Sequence, residues 1–320
     1  MKLIYILSQA HSGSTLTDCI LGTHPDFISS GEMTYLNWQL HRTKETKSST
    51  EAQNCCTCEQ DFRNCEFWSK VFDKIKNKTG KDIVIDPESF DTAYFGKFSY
   101  QNRGGFKKGI LDKTKGYIFR KWIENGYSFK KIYWLEPKVK LWVENNWLLY
   151  ETMSEVAQKP VVVDSSKDLR IALLMQQYKP KDVYIFFIHR DPKGLASSYK
   201  KWSNKKGKIF SVKDSIKSKH KFERLVDKYK RIKGLSCFDF DYEHIVQYPT
   251  DIINEVVREI GANTNYSEQS NKEFYIDPSK QHLVAGNPMR YRGKQLVRYD
   301  ESWKKHLSDE EIKLIDLAFD

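Results

Sequence analysis

Residues able to do chemistry stand in this chain directly after short apolar runs. Ser8-Gln9-Ala10-His11-Ser12-Gly13-Ser14-Thr15 follows Leu3-Ile4-Tyr5-Ile6-Leu7. Small, hydroxylated residues between a strand and a helix aim successive backbone N–H groups and a positive helix end at one point, which is phosphate or sulfate chemistry. Lys167 follows Pro160-Val161-Val162-Val163, and Arg190 follows the run Lys181 to Ile188. A cation just past a carboxyl strand end lies where ligands of parallel α/β sheets collect. Arg190 offers a bidentate fork, and Ser198, one to two turns into the helix that Pro192 opens, offers a hydroxyl to the same anion. Glu32 stands at a helix start, where the dipole favours a carboxylate, and it is also a candidate general base beside the anion loop.

The turn at Ser12–Thr15 is similar to a Walker A loop, but Ser14 stands where that loop has its Lys. A nucleotide triphosphatase of that type needs the Lys on its phosphates, so the loop suits another anion. Four of the six cysteines, Cys55, Cys56, Cys58 and Cys65, fall close together. Their spacing is cramped for two separated C-x₂₋₄-C pairs, so a local disulfide such as Cys58–Cys65 or plain reduced thiols is expected, and no metal.

The elements that must position these residues follow from pattern. Leu3–Leu7 reads as a buried parallel strand, and Ser14 or Thr15 can cap a helix through Thr17–Leu21 that Gly22 ends. Phe27–Ser30 reads as extended, and a helix runs from about Gly31 to His41. A helix is expected over 139–157 with its apolar face on Leu141, Val143, Trp147, Leu148 and Tyr150. Strands are expected at 160–163, 181–188 and 235–240, and helices at 169–178, 250–260 and 308–317. A Lys-rich segment, 200–219, leads into a helix ending near Lys233. The order predicts an α/β fold: one central parallel sheet with helices on both faces, three layers in a P-loop-like arrangement. Residues 1–320 read as a single domain, with 43–135 as an irregular insertion that shapes an acceptor cleft. The aromatics between Phe95 and Phe106 in that insertion read as a small satellite core.

With 39% hydrophobic residues the chain can bury a sizeable core, and its formal charge of +11 points to polyanionic partners. Much of that excess is Lys scattered with Asn and Ser, as on a solvated surface. No apolar run is long enough for a spanning helix, and the N-terminal run is too short for a signal peptide, which predicts a cytoplasmic protein.

Four stretches taken together resemble the sulfotransferases that use 3′-phosphoadenosine 5′-phosphosulfate. They are His11-Ser12-Gly13-Ser14-Thr15-Leu16, Val163-Asp164-Ser165-Ser166-Lys167, His189-Arg190-Asp191-Pro192-Lys193-Gly194 with Ser198, and Gly286-Asn287-Pro288-Met289-Arg290. The resemblance spans most of the chain outside the insertion, and is nearest to the bacterial type and, through Gly31-Glu32, to the protein-tyrosine branch. It implies that Ser12, Gly13, Ser14 and Thr15 hold the 5′-phosphosulfate and that Arg190 and Ser198 hold the 3′-phosphate. Glu32 matches the base of the tyrosine branch, Lys167 fits the Asp-Ser-Ser-Lys stretch, and Arg290 or Arg292 lies in a loop closing over the nucleotide. His11 departs from the Arg or Lys usual in the family; a bound sulfate is expected to favour His11 as a cation.

The chemistry so implied is in-line sulfuryl transfer to an acceptor hydroxyl of a carbohydrate, lipid, phenolic metabolite or tyrosine, without a metal. Two rivals are a P-loop-type small-molecule kinase, which Ser14 argues against, and a basic nucleic-acid-binding protein. The second lacks a single cationic stripe, so no nucleic acid partner is expected.

Overall fold

The computed structural model describes residues 1–42, 55–90 and 137–319, Lys233 and Asn263 excepted, together with Thr92, Lys121, Trp122 and Asn125. Alternation along the strands builds its layers. In β1 (Lys2–Ser8), Leu3, Tyr5 and Leu7 enter one core, while Ile4 and Ile6 enter another on the opposite face. β3 (Val161–Asp164) and β4 (Val183–His189) divide in the same way, with Val162, Ile185 and Phe187 on the first face and Val161, Val163, Phe186 and Ile188 on the second. A strand apolar on both sides must be covered on both sides, which is why it reads as an unbroken hydrophobic run.

With β2 (Phe27–Ser29) and β5 (Cys237–Asp241), these strands form one five-stranded sheet in the order β2-β3-β1-β4-β5, every pair parallel. The fold is therefore α/β, as expected. One face is covered by α2 (Leu36–Arg42), α3 (Glu66–Thr79), α4 (Pro137–Ala157), α5 (Leu169–Tyr178) and α7 (Val212–Lys230). The other is covered by α1 (Ser14–Leu21), α8 (Tyr242–Gln247) and α9 (Pro249–Glu259). Between β4 and α7 runs α6 (Pro192–Lys205), its Asp191 cap accepting from the Gly194 N–H. Because all five strands run the same way, the loops after β1, β2, β3 and β4 and the start of α8 emerge at one edge.

Four readings of the sequence change. Neither Ser14 nor Thr15 caps α1; the cap position is Gly13, in the left-handed region at φ 83°. Leu141 is 49% exposed, and the buried face of α4 is Val139, Trp142, Val143, Trp147, Leu149, Tyr150 and Met153. The Lys-rich stretch from Lys200 is itself largely helical, split between the end of α6 and the start of α7. The stretch read as an irregular insertion contains α3, whose Trp68, Val71, Phe72 and Ile75 join the main core. Burying four such side chains is worth about 1.5–3 kcal/mol each, which makes this helix part of the framework. The Phe95–Phe106 segment lies outside the described residues.

Candidate active site

The loop after β1 turns through two left-handed residues, His11 (φ 69°) and Gly13 (φ 83°). Gly13 is required twice over, since a Cβ there would also lie 2.0 Å from Cε2 of Tyr242. The turn brings α1 in with, among the described residues, no side-chain cap on its first N–H groups. The first N–H groups of a helix have no acceptor within it, so an anion at this point completes them. Thr15 Oγ1 accepts from the Asn287 N–H at 3.0 Å, tying the C-terminal segment to the loop.

Glu32 and Lys167 meet beside this helix start. Lys167 Nζ donates to Glu32 Oε1 at 2.5 Å, with the side chains 20% and 14% exposed. Two buried carboxylates hold the backbone beneath them. Asp18, on α1, accepts from the Gly31 N–H at 2.9 Å, Ser165 Oγ at 2.7 Å and Ser29 Oγ at 2.5 Å, so one side chain fixes both loops. Burial pushes Asp18 up to about 7 against the pull of those donors. Asp164 accepts from the Ser166 N–H at 2.6 Å and Tyr150 Oη at 2.5 Å, and burial lifts it to about 6. The backbone then turns left-handed at Lys167 (φ 63°), an uncommon conformation for a residue with a side chain.

Arg190 donates to the His11 carbonyl at 2.6 Å, and its guanidinium lies 4.6 Å from the centre of the Tyr242 ring. The C-terminal segment closes the far side. The Val284 N–H donates to the Ser30 carbonyl and the Glu32 N–H to the Ala285 carbonyl, so residues 284–285 run along the Glu32 loop. Arg290, 2% exposed, donates to the Leu283 carbonyl at 3.1 Å and to Tyr291 Oη at 2.5 Å. These walls enclose a cavity of about 1040 Å³ lined by His11, Gly13, Ser14, Thr15, Glu32, Lys167, Arg190, Ser198, Arg290 and Arg292. Of the residues singled out from sequence, Ser12 alone is not among those lining it; it is 1% exposed beneath the turn.

The family model described as "Sulfotransferase family" matches residues 4–266, which include the anion loop, Glu32, Lys167, Arg190 and Ser198. The chain belongs to the sulfotransferase family. Among solved structures, the sulfotransferase domain from the curacin biosynthetic pathway aligns over 100% of this chain and 98% of its own, at 14% identity and a TM-score of 0.48. The sulfotransferase domain from the Synechococcus PCC 7002 olefin synthase aligns over 99% and 94%, at 15% identity and 0.43. A sulfotransferase from Alicyclobacillus acidocaldarius aligns over 98% and 91%, at 9% identity and 0.40. Comparison with curated protein sequences finds no significant match.

In this sulfotransferase the protein groups around His11 oppose an imidazolium when no anion is bound. Burial first, then Lys167 and Arg190, push His11 down to about 4. Its ring packs edge-on to Tyr199 at 4.6 Å and near Trp202 at 5.7 Å. Lys167 and Arg190 are the cations that act on it, with His11 a neutral group that could donate or accept one hydrogen bond.

Sequence reading passed over Asp18, Ser165 and Tyr242, which position the site without presenting charge to it. Tyr242 carried one usable signal, since it directly follows the fifth strand at the same sheet edge. All six cysteines are free, as the reduced alternative had it, with the Cys58 and Cys65 sulfurs 3.6 Å apart. Among the described residues no helix is long and apolar enough to cross a membrane.

Proposed function

We propose that this sulfotransferase takes its sulfuryl group from 3′-phosphoadenosine 5′-phosphosulfate and passes it to an acceptor hydroxyl, with Glu32 as the base. The observation that carries this reading is the Glu32–Lys167 pair at the open N-terminus of α1, in one cavity with Arg190. The residues present suit such a donor: uncapped N–H groups for one anionic end, a guanidinium fork and the Ser198 hydroxyl for a second, and a volume of nucleotide scale.

In this scheme the backbone of Ser12, Gly13, Ser14 and Thr15 holds the 5′ end, and Arg190 with Ser198 holds the 3′-phosphate. The segment carrying Arg290 and Arg292 covers the nucleotide. Arg290 itself is engaged by Leu283 and Tyr291, so Arg292 is the freer cation for the ligand. The donor supplies an activated sulfuryl group on a phosphate leaving group. Glu32 accepts the hydroxyl proton as the acceptor oxygen bonds to sulfur and the bond from sulfur to the bridging phosphate oxygen breaks. Lys167, held 2.5 Å from that carboxylate, is placed to exchange it for the sulfonate or bridging oxygen as charge develops there. Residues 1–320 act as one unit in this reading, with the 43–135 stretch shaping the acceptor end.

Transfer of labelled sulfate from the donor to a panel of sugar, phenol, alcohol and tyrosyl-peptide hydroxyls tests the proposal. Label must appear on at least one hydroxyl class without added metal. Phosphoryl transfer from magnesium ATP in place of sulfate transfer contradicts it.

A further inference from the structure

Outside the catalytic cavity, three thiols and one imidazole converge on a point. Cys56, Cys58, Cys65 and His282 place one ligand atom each within 4.8 Å of all the others. The Cys65 sulfur lies 3.6 Å from Cys58, 3.7 Å from Cys56 and 3.3 Å from His282 Nδ1, and the Cys56 sulfur lies 3.5 Å from the same nitrogen. A tetrahedral zinc with Zn–S near 2.3 Å and Zn–N near 2.0–2.1 Å has S···S edges of about 3.8 Å and S···N edges of about 3.6 Å. Four of the six edges among these atoms therefore already have the lengths of a zinc site, and the other two are no longer than 4.8 Å. We propose that Cys56, Cys58, Cys65 and His282 bind a structural Zn²⁺ that staples the cysteine loop to the C-terminal segment of the active site.

The backbone around the four groups is held from both sides. Cys56 and Cys58 flank a tight turn closed by the Glu59 N–H on the Cys56 carbonyl and the Cys56 N–H on the Gln60 carbonyl. Cys65 occupies the cap position of α3 without its side chain serving as a cap, which leaves the sulfur for another partner. His282 is held in the left-handed region at φ 57°, with its carbonyl accepting from Trp68 Nε1 at 2.9 Å and its ring stacked on Phe67. The next N–H, of Leu283, donates to Thr57 Oγ1 at 3.1 Å. Cys55 is not in the cluster; its carbonyl accepts from Tyr291 Oη.

Coordination exchanges three S–H bonds for three Zn–S bonds, the protons passing to solvent, while His282 gives the Nδ1 lone pair and keeps its proton on Nε2. Four donors close the tetrahedron and leave no position for substrate, which is the arrangement of structural zinc. The consequence reaches the cavity through the chain, because the residues after His282 run along the Glu32 loop and then supply the cavity wall at Ala285, Gly286 and Arg290.

The test is elemental analysis of the full chain purified under reducing conditions from zinc-replete medium, followed by chelation and titration with Co²⁺. The expected result is about one zinc per chain, and a cobalt spectrum with tetrahedral ligand-field bands and thiolate-to-metal charge transfer that saturates at one equivalent. Cys58→Ser and His282→Ala should each weaken the bands or lose them, and Cys55→Ser should leave them unchanged. Wild-type protein with well under one zinc and no tetrahedral cobalt spectrum overturns the proposal whatever the variants do. Loss of the spectrum in Cys55→Ser with retention in His282→Ala overturns the ligand set.

Discussion

Lys167 donates to Glu32 at 2.5 Å, although the two lie 135 residues apart in the chain. The contact joins the loop after β3 to the loop after β2, neighbours in the sheet. If Glu32 is the base, Glu32→Gln keeps the shape and removes the function. Transfer should fall by about 10²–10⁴ while nucleotide affinity changes little. His11→Lys, which brings in the usual cation of the family, should preserve activity or raise it. Near-normal transfer in Glu32→Gln together with an inactive His11→Lys reverses the two roles.

The Asp18 carboxylate acts one layer deeper. Asp18→Ala strips the acceptor from the buried Gly31 N–H and from two hydroxyls, and an orphaned buried donor costs about 1–3 kcal/mol. Asp18→Asn should lose much less, since its amide oxygen can still accept from Gly31. Its folded pKa of about 7 lies above the ordinary carboxylate value, so the folded state binds the extra proton. Its contribution is complete below the unfolded pKa near 4 and is lost as pH rises toward 7. Urea unfolding of wild type and Asp18→Asn across pH 4–7 should show that slope in the wild type alone; parallel profiles contradict it.

His11 gives the opposite sign. Its folded pKa of about 4 lies below that of a free imidazole, so the unfolded state binds the extra proton between pH 4 and 6.5. The stability it lends is present above that range and fades as pH falls through it. An NMR titration should place the His11 midpoint near 4 in the free protein and move it upward with adenosine 3′,5′-bisphosphate or sulfate bound. A midpoint near 6.5, unmoved by ligand, contradicts the account of the rim.

Much of this was legible in the sequence because strand ends announce themselves. The runs before Ser8, Asp164 and His189 are apolar on both faces and stop at polar residues, so Ser14, Lys167 and Arg190 could be put on one rim. The helix 169–178 was read to its boundaries. Leu141 misled because local pattern cannot say which side of a long helix meets α3. The stretch 66–79 misled because its Lys and Asn residues mask a four-residue apolar face at helical spacing. His282 is out of reach for a different reason: the sulfur it meets lies more than two hundred residues away in the chain.

Gly13 gives a sharp test of the anion loop. Gly13→Ala must hold an L-residue at φ 83° and push its methyl into Tyr242. A left-handed L-residue costs about 1–2 kcal/mol before the clash is counted. Nucleotide binding should be lost or fall at least tenfold, and Tyr242→Ala in the same chain should restore part of it. Wild-type affinity in Gly13→Ala contradicts the loop as the anion site.

The nucleotide assignment itself is tested most directly by calorimetric titration of wild type and Arg190→Ala with adenosine 3′,5′-bisphosphate and with adenosine 5′-monophosphate. Loss of a charge-assisted contact costs about 1.5–3 kcal/mol, so the bisphosphate should bind roughly 10- to 150-fold more weakly to the variant. The monophosphate, which has no 3′-phosphate for Arg190 to hold, should be nearly unaffected. Equal weakening of both ligands, or a wild type that binds magnesium ATP or an oligonucleotide in preference to the bisphosphate, contradicts the account.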